Sequence, residues 1–360
     1  MKMLFGKRRR DLLAGLASAR LDGLLISRPA NWYYLTGFTG DSGALLVTRR
    51  GTALVTDGRF TGQARAEAPG VRIVAQSGGL LDSAGAWLVA QRLRKVGFDP
   101  QQISVAQLAA LRKATGSRVS WIPAAGLPEG LRMRKDPSEI ALMRKAAILA
   151  SEVVAGAAKL LKPGIREFEI AAEIEYQMRK KGASGPAFET IVASGWRAAL
   201  PHGRPTAKRL RKNELVVLDL GVILGHYCSD ITRTFYLGRA PARVRGWYRA
   251  VQEAQAAAIA AVRVDATCGD VDEAARQVLA GHGLDRHFVH STGHGLGLEV
   301  HEDPRVAKGQ SRRLESGNVV TIEPGVYVEG VGGIRIEDDV AVHVDRTEVL
   351  TRFTRDLIEI

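Results

Sequence analysis

Two acidic residues, Asp219 and Asp230, place the strongest constraint on how this chain can fold. They lie eleven residues apart in the stretch LDLGVILGHYCSDITRT, residues 218–234, and each adjoins an apolar, β-branched run. A turn containing Gly225 separates the two runs, and this pattern predicts a β-hairpin. A hairpin would point both carboxylates into one space, and a divalent metal ion is the partner that would make such a cluster tolerable.

The second half of the chain repeats this pattern. The residues around Asp219 align with those around Glu323 at a constant spacing of 104 residues. Further along, Asp230 corresponds to Glu337 at the end of the next predicted strand pair. Because an internal duplication usually buries its functional site where the two halves meet, we expect the four acids to converge there.

The composition is that of a globular protein large enough for two domains, with 360 residues, 46% of them hydrophobic and 25% charged. The formal net charge of +13 would suit a nucleic-acid binder. Nucleic acid is nevertheless not expected as a partner, because the basic residues are dispersed without interleaved aromatic residues. No run approaches the ~20 apolar residues of a membrane span, so no membrane association is expected either. Cys228 and Cys268 have no metal-binding or redox spacing, which favours a reducing, cytoplasmic location.

An α/β domain is predicted over residues 1–124. Its predicted strands cover residues 24–26, 44–47, 53–55, 71–74 and 119–122, and its predicted helices cover residues 79–94 and 104–115. The most unusual segment, NWYYLTGFTG at residues 31–40, crowds aromatic residues beside glycines. As a loop it could form a binding wall, and as a packed cluster it would hold one domain against another.

A helix start lies near the beginning of the second predicted domain, residues 125–360. Asp136 can cap this helix, Pro137 suits its first position, and Glu139 can reach back to the cap. The elements predicted next are a helix ending near residue 161, a helix over residues 166–181 and a strand over residues 189–193.

A fifth candidate ligand, His294, lies between glycines in the segment HSTGHGLG, residues 290–297. Such glycines let the backbone approach a buried centre closely. Four carboxylates and one imidazole suit a pair of divalent ions roughly 3.5–4 Å apart better than a single ion. The similar tripeptide Gly281-His282-Gly283 follows a helical run and predicts a helix C-cap instead.

These residues resemble those of the pita-bread metallopeptidases, a family that includes prolidase, aminopeptidase P, methionine aminopeptidase and the non-metal enzyme creatinase. The shared motifs are SDITRT at residues 229–234, GHG at 293–295, IEPG at 322–325 and GIRIED at 333–338. Residues 31–40 and 56–59 also resemble the creatinase/prolidase N-terminal domain. The branch that cleaves Xaa-Pro bonds fits best, because methionine aminopeptidase lacks that domain and creatinase lacks the metal ligands.

The resemblance implies an α/β (α+β) fold in two parts, a creatinase/prolidase-like N-terminal domain with a mixed sheet and a C-terminal pita-bread domain with a pseudo-two-fold duplication. It also implies a role for each ligand. Asp219 is expected to chelate the first metal, and His294 and Glu323 to hold the second. Asp230 and Glu337 are expected to bridge the two.

Further roles follow from the same resemblance. Glu323 is expected to carry a proton from the bridging water to the leaving nitrogen, because a carboxylate on a metal has a spare oxygen beside that water. His290 and His301 match histidines around the substrate carbonyl and the scissile nitrogen, and His202 matches one near the proline end. Arg335 could orient the neighbouring bridging acid or pair with the substrate carboxylate.

The expected reaction is metal-dependent hydrolysis of the bond between an N-terminal residue and proline, in a small peptide with proline in second position. Prolidase, acting on dipeptides, is favoured over aminopeptidase P, acting on longer peptides, because the chain is compact. A non-catalytic binding module is the more distant alternative.

Two divalent ions per chain are expected, with Mn²⁺ ahead of Co²⁺, Zn²⁺ and Fe²⁺, all of which accept this ligand set. The resemblance implies a homodimer. At Trp196 and Arg197 many relatives carry smaller or uncharged residues, so we expect a reshaped substrate wall there.

Overall fold

The computed structural model describes residues 4–360, which divide into two compact units. The first unit ends at Arg132 and the second covers Met133–Ile360. Because helix Leu127–Arg132 packs on the two helices near the start of the chain, the first unit extends beyond residue 124. None of the helices within residues 4–360 is long and apolar enough to span a bilayer.

A six-stranded mixed sheet forms the centre of the first unit. Its strands are β1 Gly23–Ile26, β2 Ala44–Thr48, β3 Gly51–Thr56, β4 Arg72–Ala75, β5 Lys95–Phe98 and β6 Ser120–Pro123. Its helices are α1 Phe5–Ser18, α2 Pro29–Thr36, α3 Thr61–Glu67, α4 Leu80–Ala90, α5 Val105–Thr115 and α6 Leu127–Arg132. The strand order is β4-β3-β2-β1-β5-β6, with antiparallel pairs among β1, β2 and β3 and parallel pairs elsewhere.

The aromatic segment at residues 31–40 is helical up to Thr36, so the predicted loop is found only from Gly37 onwards. Pro29 occupies the first turn of α2, and Gly37, with φ of 86°, ends it in the left-handed conformation that glycine adopts at little cost. Trp32 and Phe38 are 2% and 0% exposed, with ring centroids 6.3 Å apart. These rings belong to the core of the first unit because burial of such large apolar surfaces is strongly favourable. They do not form an open binding wall.

The second unit contains two helix pairs and two main sheets. Its helices are α7 Pro137–Ala158, α8 Glu167–Lys180, α9 Ala242–Ala261 and α10 Cys268–Gly281. The strands of its first half are β7 Gly185–Pro186, β8 Ile191–Ser194, β9 Glu214–Leu220, β10 Val222–Leu224, β11 Tyr227–Cys228 and β12 Ile231–Leu237. The remaining strands are β13 Gly293–Gly295, β14 Glu302–Val306, β15 Val319–Ile322, β16 Gly325–Val328, β17 Gly332–Arg335, β18 Asp338–Val342, β19 Thr347–Val349 and β20 Ile358–Glu359.

The predicted start of α7 is confirmed. Asp136 accepts hydrogen bonds from the backbone N–H groups of Ser138 and Glu139, at 2.8 and 3.1 Å. Glu139 Oε2 in turn accepts the Asp136 N–H at 2.8 Å, which completes a capping box. The helix ends at Ala158, a few residues before the predicted end.

The duplication appears as two antiparallel strand pairs, each followed outward by a short hairpin. In the first half β9 pairs with β12, and β10 and β11 form the tip. In the second half β15 pairs with β18, and β16 and β17 form the tip. The predicted turn at the first tip is confirmed, because Gly225 and His226 both have positive φ, as a type I′ hairpin turn requires. Helices α7 and α8 cover the first sheet, and α9 and α10 cover the second.

Candidate metal centre

The first strand pair carries two of the predicted acids. Asp219 lies near the end of β9, directly opposite Thr232, and Asp230 immediately precedes β12. Both acids are buried, 7% and 5% exposed. The hairpin predicted from the two apolar runs and the turn between them therefore brings these two acids to the same end of the sheet.

The second strand pair carries the other two acids. Glu323 directly follows β15 and Glu337 directly precedes β18, beyond the last paired residues Ile322 and Asp338. Glu337 meets the first half at Thr232, whose Oγ1 donates to Glu337 Oε2 at 2.7 Å. The two halves thus join at the acid-bearing ends of their strands.

The predicted correspondence between Asp230 and Glu337 is displaced by two residues. Leu218 pairs with Arg233, and the equivalent Ile322 pairs with Asp338, so the ladder position of Glu337 is that of Thr232. Asp230 lies just before the paired residues of β12, and its ligand atom still lies within 4.8 Å of those of His294 and Glu337. The two halves therefore deliver their acids to one space although the strand positions differ.

His294 lies on β13, which is held very close to its neighbours. A Cβ atom on Gly293 would come within 1.9 Å of the Thr321 carbonyl oxygen, and one on Gly295 within 2.3 Å of the Asp303 carbonyl oxygen. Only glycine permits this approach on both sides of the histidine. The glycines were predicted to let the backbone approach a buried centre, and the close approach that the structure shows is to the backbones of Thr321 and Asp303.

The hydrogen bonds of His294 leave one ring nitrogen directed at the acids. Nδ1 lies 3.0 Å from the Gly295 carbonyl oxygen, which can only accept, so Nδ1 carries the proton. Nε2 faces Glu323 Oε1 at 3.5 Å and Asp230 Oδ2 at 3.8 Å. Because this tautomer presents the lone pair of Nε2 to the carboxylates, it suits a metal ligand.

The residues present fit a bound divalent cation. Ligand atoms of Asp230, His294 and Glu337 all lie within 4.8 Å of one another. Asp219 Oδ1 and Asp230 Oδ1 are buried and have no hydrogen-bond partner within residues 4–360. Buried carboxylate oxygens of this kind are costly unless a cation or a donor meets them.

The electrostatics of the site support the same conclusion. Burial raises the pKa of Asp230 and of Glu337 well above the usual range, and neighbouring carboxylates raise them further. Burial also raises the pKa of Glu323 to about 8, although the charge of Arg335 opposes this shift. Burial lowers the pKa of His294 to about 4, which keeps the imidazole neutral. A cation among these groups would stabilise the ionised carboxylates and bind the neutral imidazole.

Arg335 is buried beside this cluster and all its side-chain nitrogens donate hydrogen bonds. Nη2 donates to Asp219 Oδ2, and Nε donates to Thr232 Oγ1 at 3.1 Å. Nη1 donates to Tyr327 Oη at 2.7 Å and to the Pro201 carbonyl oxygen at 3.1 Å. The guanidinium therefore orients Asp219. It does not donate to Glu337, the predicted bridging acid two residues later in the chain.

The three further histidines lie around the same centre. The His301 side chain is exposed, with its ring centroid 4.4 Å from that of His294. His290 Nε2 lies 2.8 Å from Tyr327 Oη, and its Nδ1 lies 2.8 Å from the Ser291 carbonyl oxygen. His202 is exposed on the loop after β8. Burial lowers the pKa values of His290 and His301, and the nearby His202 adds to both shifts.

Two functional candidates were missed from the sequence. Tyr327 is buried and connects His290 to Arg335, and burial raises its pKa to about 12. Asp339 is buried, and its Oδ2 accepts the Asp230 N–H at 3.1 Å. The only signal for Asp339 was the acidic run that begins at Glu337, and Tyr327 resembled an ordinary strand residue.

Trp196 and Arg197 were expected to reshape the substrate wall. Trp196 is 55% exposed. Arg197 Nε donates to Glu167 Oε2 at 3.0 Å, and its Nη2 donates to the Arg204 carbonyl oxygen. Arg197 is thus part of the support for the loop that carries His202.

Comparison with known proteins agrees with this geometry. Residues 141–343 match metallopeptidase family M24, and residues 8–134 match the creatinase/prolidase N-terminal domain. An Xaa-Pro dipeptidase of Pyrococcus furiosus is 43% identical over 228 residues, which cover 63% of this chain and 66% of that protein.

Solved structures extend the similarity to nearly the whole chain. The Xaa-Pro dipeptidase of Bacillus anthracis is 35% identical with a TM-score of 0.96, covering 99% of this chain and 100% of that chain. An X-Pro aminopeptidase of Thermotoga maritima is 33% identical with a TM-score of 0.90, covering 98% and 100%. This chain belongs to metallopeptidase family M24 and carries a creatinase/prolidase N-terminal domain.

Proposed function

We propose that this protein hydrolyses the peptide bond between an N-terminal residue and a following proline, as an Xaa-Pro dipeptidase. The observation that carries the proposal is the cluster of Asp230, His294 and Glu337, with ligand atoms within 4.8 Å of one another. The names of the similar dipeptidases support the choice of bond. A proline amide has no N–H for ordinary peptidases to recognise, so polarisation of its carbonyl is an effective alternative.

The proposed cofactor is a pair of divalent metal ions, with Mn²⁺ as the first choice. Asp219 would hold one ion, His294 and Glu323 the other, and Asp230 and Glu337 would bridge them. Such ions supply a nucleophile from water at neutral pH and polarise the carbonyl that it attacks. The unpartnered oxygens of Asp219 and Asp230 support this assignment.

The remaining site residues would bind substrate or move protons. Glu323 is proposed to carry the proton from the attacking water to the leaving nitrogen, and its Oε1 lies 3.5 Å from Nε2 of the proposed ligand His294. His301, exposed beside His294, would meet the scissile nitrogen. His290 would act near the substrate carbonyl with Tyr327, whose hydroxyl its Nε2 contacts, and His202 would lie near the proline ring.

Substrate length divides the favoured function from its alternative. Similarity to the Bacillus anthracis dipeptidase favours dipeptides, whereas similarity to the Thermotoga maritima aminopeptidase favours longer peptides. We propose the dipeptidase because the relative with 43% identity is named for that substrate.

We also propose that the protein is a homodimer and that it is located in the cytoplasm. Sedimentation of the purified protein would test the homodimer, and fractionation of the source cells would test the location.

The experiment compares an Xaa-Pro dipeptide with an Xaa-Pro-Xaa tripeptide, using metal-free protein with and without added Mn²⁺. An Xaa-Ala dipeptide serves as the control for proline specificity. The proposal expects metal-dependent turnover of the Xaa-Pro dipeptide above both other substrates. Turnover of the tripeptide alone would favour the aminopeptidase, and no turnover with any of Mn²⁺, Co²⁺, Zn²⁺ or Fe²⁺ would contradict a peptidase.

A further inference from the structure

A fully buried acid on α10 lies outside the metal cluster. Asp272 is 0% exposed and has four hydrogen bonds to its two oxygens. Arg276, one turn later on the same helix, donates to Oδ2 from Nε at 2.6 Å and to Oδ1 from Nη2 at 3.2 Å. Thr292 donates its N–H and its hydroxyl to Oδ1, at 3.1 and 2.8 Å. A buried charge so fully bonded holds its partners in a narrow range of positions.

Arg276 holds the loop that carries His290. Its Nη2 donates to the His290 carbonyl oxygen at 2.7 Å, and its Nη1 donates to the Phe288 carbonyl oxygen at 3.3 Å. Its guanidinium carbon lies 4.4 Å from the centroid of the Phe288 ring. That ring meets the His290 ring edge-on, at a centroid distance of 5.1 Å. Arg276 therefore holds His290 in two ways. It donates to the His290 backbone carbonyl group, and it packs on the Phe288 ring, which in turn contacts the His290 ring.

Thr292 extends the same network to Glu323. Its carbonyl oxygen accepts the Glu323 N–H at 2.7 Å, directly where β15 ends. Asp272 fixes the N–H and hydroxyl of Thr292, and Thr292 fixes the backbone of Glu323. One helical ion pair thus connects to His290, four residues before the predicted ligand His294, and to Glu323, whose Oε1 lies 3.5 Å from His294 Nε2.

We propose that Asp272 and Arg276 are a positioning pair that sets the places of the His290 ring and the Glu323 backbone. The inference rests on the proposed function for its catalytic consequence, but the placement of His290 does not depend on that function. None of the hydrogen bonds from Asp272 or Arg276 within residues 4–360 reaches a predicted metal ligand side chain. The pair should therefore affect catalysis more than metal content.

The main variant is Arg276→Lys, which keeps the charge but cannot donate to Asp272 and two carbonyls together. The matched control is Gln277→Lys, because Gln277 forms a comparable i,i+4 bond with Glu273 at 3.2 Å on the exposed side of the same helix. A second, milder pair is Thr292→Val, which removes the hydroxyl donor, and Thr292→Ser, which retains it.

Two readouts are measured. The first is the nitrogen resonances of the His290 ring in metal-free, ¹⁵N-labelled protein, assigned by their loss in His290→Gln. The second is kcat and KM for an Xaa-Pro dipeptide with Mn²⁺, with metal content measured on the same samples. We expect Arg276→Lys to shift the His290 resonances and lower kcat by about 10- to 100-fold with unchanged metal content, because small displacements of reacting groups are costly. Thr292→Val should lower kcat about tenfold, and Thr292→Ser should restore it.

The outcomes separate this inference from the proposed function. One outcome is that no Xaa-Pro substrate is turned over, while Arg276→Lys shifts the His290 resonances and Gln277→Lys does not. That outcome refutes the proposed peptidase activity and supports the positioning of His290. If the resonances and kcat of Arg276→Lys match those of Gln277→Lys, the positioning pair is refuted. Should Arg276→Lys fail to fold, equal kcat for Thr292→Val and Thr292→Ser would refute it instead.

Discussion

Thr232 donates its hydroxyl to Glu337 Oε2 at 2.7 Å, and its carbonyl oxygen accepts the Glu337 N–H at 3.1 Å. Thr232 lies on β12 in the first half of the second unit, and Glu337 immediately precedes β18 in the other. One residue therefore fixes both the backbone and the carboxylate of a predicted bridging ligand across the duplication. The candidate metal site is expected to depend on this junction because its acids come from both halves.

Thr232→Val should weaken this junction. Without the hydroxyl, Glu337 Oε2 loses a buried donor, and we expect the free energy of unfolding to fall by about 1–3 kcal/mol. We expect kcat/KM for an Xaa-Pro dipeptide to fall about tenfold. Chemical denaturation and steady-state kinetics measure the two effects. Thr232→Ser keeps the hydroxyl and is the control, so equal losses in both variants would contradict this role.

Asp230→Asn should separate metal binding from folding. The substitution replaces a buried carboxyl group whose ionisation is unfavourable in metal-free protein, so metal-free protein should keep its melting temperature or gain slightly. Added Mn²⁺ should no longer raise the melting temperature, and hydrolysis should fall by at least about a thousandfold. Asp345→Asn changes an exposed acid, 75% accessible, in the same way and is the control. Retained hydrolysis in Asp230→Asn would contradict the predicted metal centre.

The stability of metal-free protein should decrease as pH rises from 6.5 to 8. Burial raises the pKa of Glu323 from its ordinary 4.5 to about 8, so the folded state holds a proton that the unfolded chain releases. The free energy of unfolding therefore falls with rising pH across that interval. Burial lowers the pKa of His294 from 6.5 to about 4, and this acts in the opposite direction only below about pH 6.5.

A bound divalent ion should remove this pH dependence, because it favours the ionised carboxylates over the protonated ones. Thermal denaturation at pH 6.5, 7.2 and 8.0, with a chelator or with Mn²⁺, measures the difference. The increase in melting temperature on adding Mn²⁺ should grow with pH. A constant increase across the three pH values would argue against carboxyl groups that hold protons in the metal-free site.

Two glycine substitutions in similar tripeptides should have opposite effects. In Gly293→Ala the new methyl group would meet the Thr321 carbonyl oxygen at 1.9 Å, and this backbone cannot move without disturbing β15. We expect a loss of several kcal/mol in unfolding free energy, or failure to fold. Gly281→Ala, at the end of α10, meets nothing within 4 Å and should gain up to about 1 kcal/mol from helix propensity. Thermal denaturation of both variants would test the contrast, and equal stability would contradict it.

The predicted helix C-cap at Gly281-His282-Gly283 is confirmed by the structure. Helix α10 ends at Gly281, and Gly283 has a positive φ of 68°. His282 Nε2 lies 2.8 Å from Oε2 of Glu253 on α9, so this histidine contacts α9 and not the acid cluster. The two Gly-His-Gly tripeptides have the same sequence but different surroundings. In the sequence, only the helical run before Gly281 indicated that this tripeptide ends a helix and does not supply a ligand.

The sequence by itself determined the local elements and the chemistry of the ligands. The Asp136 capping box, the turn at Gly225 and the strand on which Asp219 lies all follow from short-range patterns, since capping, positive φ and side-chain alternation act over a few residues. The duplication identified which acids belong together. It could not reveal that Asp230 is displaced by two ladder positions, because pairing register depends on the opposite strand.

Only the tertiary structure decided which side chains support the candidate metal centre. Arg335 donates to Asp219 rather than to the acid two residues away, and Asp272 is linked through Thr292 to Glu323. These contacts join residues far apart in the chain, and their partners are selected by packing, burial and the need to satisfy buried hydrogen-bonding groups. No periodicity in the sequence records that selection, because it arises only when the two halves fold together.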